Sequence, residues 1–223
     1  MKKLIIAALT AFALSTTAYA GQVGMGVSGS LAYVTADGTE TTTAGTVGGG
    51  SADKHSKSVD AFSGVGSVFV EYIGDGGWAL GVDYVPMSAD VSSQVHERTE
   101  TAQGVSGTDA DGQIVRKADA EVEDFTTYYI DYPLGNYFVK LGFSQIDVIT
   151  KENAITSSGT YGNETLDGYT IGAGFKHSSG TIYYKTSIEY TDFEDLSLTS
   201  STSNKISADL DMTQFKVAIG AAF

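Results

Sequence analysis

Apolar residues alternate with small or polar ones in several separate segments, and this alternation constrains the fold more than any other feature. It is clearest in Thr213–Phe223, where every second residue is apolar: Phe215, Val217, Ile219, Ala221 and Phe223. Side chains of a strand point alternately to its two faces, so each such segment predicts a β-strand with one apolar face. The eight predicted strands lie near residues 22–35, 61–73, 78–84, 122–132, 137–143, 169–175, 182–190 and 213–223. Taken alone, such a strand fits a soluble β-protein as well as a membrane barrel.

The connections between the predicted strands are of two kinds, which alternate strictly along the chain. Three are tight turns rich in hairpin residues, at 74–77, 133–136 and 178–180. Four are long and polar, at 36–60, 88–121, 147–167 and 192–211. In an up-and-down meander, all tight turns then lie at one end, as in outer-membrane barrels with periplasmic turns and extracellular loops. The sequence therefore predicts an all-β, eight-stranded antiparallel transmembrane barrel with both termini in the periplasm.

Aromatic residues stand near both ends of the predicted strands. Phe62 and Tyr72 are ten residues apart, which at ~3.3 Å per residue and a tilt near 45° is about 23 Å along the barrel axis. This agrees with the roughly 25 Å apolar band of outer-membrane barrels, which an aromatic girdle borders at each interface. The predicted girdle comprises Tyr33, Phe62, Tyr72, Trp78, Tyr84, Tyr132, Tyr137 and Tyr190.

The predicted inward faces carry both signs of charge in equal number. They contain Glu71, Asp83, Asp131, Lys140, Lys176, Lys185, Glu189 and Lys216. Side chains fill the interior of an eight-stranded barrel, and buried charges need partners. We therefore predict an ion-paired plug, since one sign of charge dominates in a wide ion-selective pore. A narrow channel for ions or small solutes is the alternative, because Gly168, Gly172 and Gly174 on the inner face of the sixth strand leave room for water.

The first 20 residues have the three parts of a secretory signal peptide. Lys2 and Lys3 precede the apolar run Leu4–Leu14, and Ala18-Tyr19-Ala20 fits the A-x-A cleavage pattern. We predict a signal peptide over 1–20 and one barrel domain over 21–223. The chain has no Cys, which excludes a disulfide framework, and its net charge of −14 argues against nucleic-acid binding.

The signal peptide, the eight strands, the sorted connections and the terminal Phe223 together resemble the small outer-membrane barrels. These include the OmpX type, the transmembrane domain of OmpA and the neisserial opacity proteins. In that class, the barrel-assembly machinery reads the last strand with its terminal Phe. The resemblance implies an assembly signal at Phe215, Val217, Ile219, Ala221 and Phe223. We also expect a monomer surrounded by outer-membrane lipid and lipopolysaccharide, without the peptidoglycan-binding domain of full OmpA.

No group of residues predicts catalysis, a cofactor or a metal. His177, Ser179 and Glu189 resemble the His/Ser/Glu set of barrel lipid A deacylases. However, about 30 Å of strand separates the turn from Glu189, and nucleophilic catalysis needs hydrogen-bond contact. The segment 109–112 resembles part of a calcium loop but lacks the bidentate Glu. A lipid-modifying enzyme is therefore the least favoured alternative, and we predict that the protein is not an enzyme.

The leading functional prediction is a structural or surface-interaction role. The four long connections are acidic and rich in Gly, Ser and Thr. If they lie outside the cell, they present a polar surface to an extracellular ligand or a phage. They are poor in the aromatic and Arg residues that dominate protein interfaces, so the sequence nominates no binding residue.

Overall fold

The computed structural model describes residues 21–41, 54–90, 96–101, 113–152, 161–200 and 204–223. The predicted signal peptide at 1–20 and the segment 109–112 lie outside these residues. In the part of the chain that the structure describes, no helix is long and apolar enough to cross a membrane.

The described chain forms one antiparallel sheet of eleven strands. The strands are β1 (Gly21–Thr41), β2 (Lys54–Gly74), β3 (Ala79–Tyr84), β4 (Ala89–Asp90), β5 (His96–Thr101), β6 (Gln113–Leu134), β7 (Tyr137–Glu152), β8 (Glu164–Ser179), β9 (Ile182–Phe193), β10 (Leu196–Thr199) and β11 (Lys205–Ala222). The wall runs β1-β2-β3-β6-β7-β8-β9-β11 and closes where β11 pairs with β1. Because β4 and β5 also pair with β6, and β10 with β11, these short strands extend wall positions already present. This confirms the predicted eight-stranded barrel.

The barrel closes through the terminal strand, as its alternating pattern predicts. Val27 is opposite Ile219 and Leu31 is opposite Phe215 in the β1–β11 register. The Phe223 N–H donates to the Val23 carbonyl at 2.9 Å. The sheet therefore has no free edge between its first and last strands.

The three tight turns lie at one end of the barrel, which we call the turn end; the opposite end is the loop end. Each turn contains one glycine with positive φ: Gly77 at 80°, Gly135 at 70° and Gly180 at 63°. A side chain is strained in this region, which explains why glycine occupies these positions.

Outward-facing apolar side chains form a continuous exposed surface around the barrel. Leu31, Leu141, Ile171 and Ile188 are each more than half exposed. So much contiguous apolar surface is unfavourable in water. A closed barrel satisfies its backbone hydrogen bonds within the wall and can present that surface to lipid. The exterior is therefore that of a transmembrane barrel.

The strands continue well into the segments predicted as long loops. The β1–β2 register runs to Thr41 opposite Lys54, and β6 begins at Gln113. Beyond the membrane neither face of a strand must be apolar, so the sequence pattern that identified the strands is lost there while backbone pairing continues.

One predicted residue faces the wrong way because of a bulge in β6. The β6–β7 register shifts between Glu123 and Thr126, and Asp124 has φ of 55°. The extra residue of a bulge reverses the direction, inward or outward, of the side chains that precede it in the strand. Val122, predicted to face outward, instead packs in the interior against the cluster that contains Phe125.

Candidate functional site

The eight charged residues predicted for the interior all lie there, in two groups joined by ion pairs. The turn-end group consists of Glu71, Asp131, Lys176 and Lys185. The middle group consists of Asp83, Lys140, Glu189 and Lys216. All are buried except Lys176, whose side chain is 22% exposed. The charged residues have even numbers on β7, β8 and β11 and odd numbers on β2, β3, β6 and β9. Because side chains alternate along a strand, these positions all lie on the inner face of the wall.

The turn-end group is centred on the fully buried carboxylate of Glu71. Lys185 Nζ donates to Glu71 Oε2 at 2.9 Å and also to Asp131. The Tyr129 hydroxyl donates to the same Glu71 oxygen at 2.7 Å, and Lys176 Nζ lies 3.5 Å from Glu71 Oε1. Lys185 further lies over aromatic rings that surround it. Two cations and a hydroxyl therefore compensate one carboxylate that has no access to water.

The middle group links β3, β7, β9 and β11 across the barrel. Lys140 Nζ lies 2.7 Å from Glu189 Oε1, and the Ser187 hydroxyl donates to that oxygen at 2.7 Å. Lys216 Nζ lies 3.4 Å from both Asp83 Oδ2 and Glu189 Oε2. These contacts join opposite parts of the wall through the interior.

A row of buried hydroxyls crosses four neighbouring strands. Thr127, Ser144, Thr170 and Thr191 make successive contacts of 2.9, 2.7 and 2.7 Å between their oxygens. The row was not predicted from the sequence, because single short polar residues are common in any strand. Their inward parity on β6, β7, β8 and β9 is the signal that could have found it.

Beyond the hydroxyl row, toward the loop end, the interior is mostly apolar, with Gln214 as a buried polar exception. A cluster of buried side chains fills it, comprising Ala32, Val85, Phe125, Ile146, Val148, Leu166, Phe193, Leu210 and Met212. Within this region lies a cavity of about 90 Å³. Sequence reasoning missed the cluster because several of its members lie in segments predicted as loops.

The glycines that supported a narrow channel are covered by neighbouring side chains. A Cβ on Gly174 would lie 2.4 Å from Phe138 Cζ, and one on Gly168 would lie 2.7 Å from Phe193 Cδ1. At Gly172, the nearest side-chain atom is Glu189 Cγ, at 3.0 Å. The expected space for water along the sixth predicted strand, β8, is therefore filled, and that argument for a channel was wrong.

The predicted aromatic girdle residues lie on the outside of the wall near its two ends. The rings of Tyr33 and Phe62 are 4.7 Å apart at the loop end, and those of Tyr72 and Trp78 are 5.5 Å apart at the turn end. Tyr132 and Tyr137 are exposed beside the second turn, while the Tyr84 and Tyr190 hydroxyls donate to Asp124 and Asp211. Further outward-facing aromatics that do not belong to the predicted girdle are Tyr128, Tyr169, Phe175 and Tyr184.

The residues predicted as an assembly signal line the outer face of β11 and its end. Phe215, Val217 and Ile219 are exposed, and Phe223 is 72% exposed. A face that is open to the surroundings is accessible to a recognising protein. Recognition of this strand by the assembly machinery stays a prediction.

The structure does not assemble the His/Ser/Glu set. His177 and Ser179 are exposed at the third turn, whereas Glu189 is buried and paired within the middle group. Across the described residues, no group of three or more His, Asp and Glu side chains could hold a metal ion.

Exposed acids face one another at the loop end, beyond the girdle. Asp37 is opposite Asp209, and Asp192 is opposite Asp211, in neighbouring strand pairs. Partial desolvation, followed by the charges of Asp211, Asp195, Asp192 and Asp37, raises the pKa of Asp209. Like charges directly opposite each other in a sheet repel and destabilise the pairing.

Solved structures of outer-membrane barrels match this chain. OprG from Pseudomonas aeruginosa matches with a TM-score of 0.51 at 14% identity, over 92% of this chain and 97% of OprG. Ail of Yersinia pestis matches at 12% identity with a TM-score of 0.39, over 89% of this chain and 99% of Ail. The outer membrane protease OmpT of Escherichia coli matches at 10% identity with a TM-score of 0.39, over 94% and 100%.

Neither a protein-family model nor a curated protein sequence matches the chain. At 14% identity, the likeness to OprG concerns the fold. Together with the closed ring and the apolar exterior, it leads to one conclusion: the chain has the fold of an outer-membrane β-barrel.

Proposed function

We propose that the protein is an integral, non-conducting barrel of the bacterial outer membrane that serves as a scaffold for the segments at its loop end. One observation carries this proposal: the interior is crossed by eight charged residues that pair with one another. The four acids balance the four bases, so the interior has no dominant sign that would favour one kind of ion.

The energetics of the ion pairs favour a permanent plug. Opening a water path through the middle group would separate Lys216 from Asp83 and Glu189, and Lys140 from Glu189. Breaking a buried pair leaves an uncompensated charge, at a cost of about 3–5 kcal/mol. Because each group shares partners, several such contacts would have to break together.

The tight turns lie at one end of the barrel and the long connections at the other. This arrangement supports an orientation with the turn end in the periplasm and the loop end outside the cell. The outward aromatics at the two ends support contact with lipid and lipopolysaccharide headgroups. A surface role through an extracellular ligand or a phage remains a prediction, since part of each acidic connecting segment lies outside the described residues.

Single-channel recording in planar bilayers tests the plug. We expect the purified wild-type protein to give no steady openings. Lys216→Gln removes one buried cation of the middle group, while Lys205→Gln removes an exposed one at the loop end and serves as the matched control. Steady wild-type openings whose size changes in Lys216→Gln but not in Lys205→Gln would replace the scaffold with the narrow channel.

Lipid A mass spectrometry tests the enzyme alternative separately. We expect identical lipid A profiles from cells with and without the protein. A modified lipid A species that depends on the protein would contradict a non-enzymatic role.

A further inference from the structure

The barrel wall is incomplete on one side at the level of the apolar cluster. The β2–β3 register ends at Val68 opposite Tyr84, and residues 85–88 form no strand. The Val85 N–H donates instead to the Phe125 carbonyl at 2.9 Å, which draws the chain toward β6. Pro86 follows and has no N–H to offer a ladder. Within the described chain, β2 therefore loses its β3 partner just above Val68.

This gap lies within the apolar band. On β2, it follows Val68 toward Phe62, which belongs to the loop-end girdle. The gap thus opens on the hydrocarbon of the leaflet nearest the loop end, below the headgroup region. Water and polar solutes are scarce at that depth, so the gap faces acyl chains.

The interior cavity reaches this gap. Its lining includes Val85 and Phe125 inside the barrel, but also Gly64, which has the outward parity of β2. A Cβ on Gly64 would meet no atom within 4 Å. Because Ser63 and Val65 on β2 and Met87 and Ser88 across from them also line it, the cavity borders the gap from both sides.

The lining suits an apolar occupant of small cross-section. No charged residue lines the cavity, and most of its surface comes from residues such as Ala32, Ile146 and Met212. Its volume is about 90 Å³, smaller than the ~150 Å³ of an engineered cavity that takes benzene. The space therefore fits the end of a hydrocarbon chain better than a ring-shaped molecule.

We propose that this cavity binds the terminal segment of a lipid acyl chain, which enters from the surrounding leaflet between β2 and residues 85–88. The bound chain end fills space that would otherwise be a void in the apolar interior. This binding site is independent of whether the barrel conducts.

Photolabelling of the wild-type protein tests the proposal. The protein is folded in vesicles that contain a phosphatidylcholine with a diazirine at the end of one acyl chain, irradiated, and its adducts are mapped by mass spectrometry. We expect adducts on interior Phe125 and Met212 as well as on outward Leu31 and Leu141. Adducts confined to the outward positions would overturn the proposal.

Two variants with the same substitution locate the binding site. Ser63→Phe adds a ring inside the cavity beside the gap, because Ser63 has the inward parity of β2 and lines the cavity. Ser207→Phe adds the same ring at an exposed position on β11 outside it. We expect Ser63→Phe to lose the interior adducts and keep the outward ones, and Ser207→Phe to keep both. Interior adducts that persist in folded Ser63→Phe would overturn binding in this cavity, and the wild-type ratio of interior to outward adducts decides binding if that variant does not fold.

Discussion

The two halves of the barrel interior are built on opposite principles. Near the turn end, Glu71 and Lys185 belong to a charged network in which every cation has a carboxylate partner. Near the loop end, Phe125 and Leu166 belong to an apolar cluster with a cavity and a gap in the wall beside it. The charged half holds the strands together by directional contacts, whereas the apolar half relies on packing that tolerates a gap. The same fold can thus close one half of the interior to water and leave the other half able to bind the end of an acyl chain.

The largest expected effect is the loss of Glu71. Glu71→Ala removes the ion pair of Lys176 and leaves Lys185 with Asp131 alone, so the turn-end group has one uncompensated cation and we expect a loss of about 3–5 kcal/mol of unfolding free energy. Urea unfolding in lipid vesicles, followed by the fluorescence of the single Trp78, measures it. The control Asp75→Asn, at an exposed turn position, should change stability by less than about 0.5 kcal/mol. Equal effects of both variants would mean that the network does not stabilise the barrel.

The second-largest expected loss of unfolding free energy comes from the packing of the loop-end interior. Leu166→Ala removes a buried side chain from the apolar cluster, and we expect a cost of about 2–5 kcal/mol. Leu141→Ala is the matched control on the lipid-facing surface, where lipid can fill the space. The same unfolding assay compares them. A Leu166→Ala loss no larger than that of Leu141→Ala would show that the loop-end interior is not a packed core.

Two glycine variants compare a packed inward position with an exposed outward one. A Cβ on Gly174 would lie 2.3 Å from the Thr186 carbonyl oxygen, so Gly174→Ala should cost about 1–3 kcal/mol. Gly64→Ala meets no atom within 4 Å and should stay within about 0.5 kcal/mol of the wild type. Comparable losses in the two variants, from the same unfolding measurements, would contradict this difference in packing.

The smallest effect concerns the acids at the loop end. The folded-state pKa of Asp209 is raised, so the folded state binds that proton more tightly than the unfolded state does. The penalty is present above the folded pKa and disappears once the pH falls below the unfolded pKa. Asp209→Asn should therefore stabilise the barrel slightly at neutral pH, by less than about 0.5 kcal/mol, and have no effect in acid. Melting temperatures at both pH values check this, and a larger gain in acid would contradict the sign.

The parts of the fold that sequence could predict are those in which the membrane forces an alternation. Leu141 and Ile171 must face lipid, so their neighbours Lys140 and Gly172 must face inward, and the interior charges follow from parity alone. The bulge at Asp124 could not be predicted, because its positive φ is held by tertiary contacts such as the hydrogen bond from Tyr84. The gap had one signal in the sequence, Pro86, which cannot donate to a neighbouring strand.

The central claim is that water does not reach the middle of the barrel, and the chain allows a direct test because it has no natural Cys. Ser144→Cys places a thiol in the hydroxyl row, at a fully buried position, and Ser178→Cys places one at an exposed position in the third turn. Each folded variant in vesicles is treated with a charged, water-soluble thiol reagent on both sides of the membrane. We expect Ser178→Cys to be labelled and Ser144→Cys to stay unlabelled. Labelling of folded Ser144→Cys at a rate comparable with that of Ser178→Cys would contradict it.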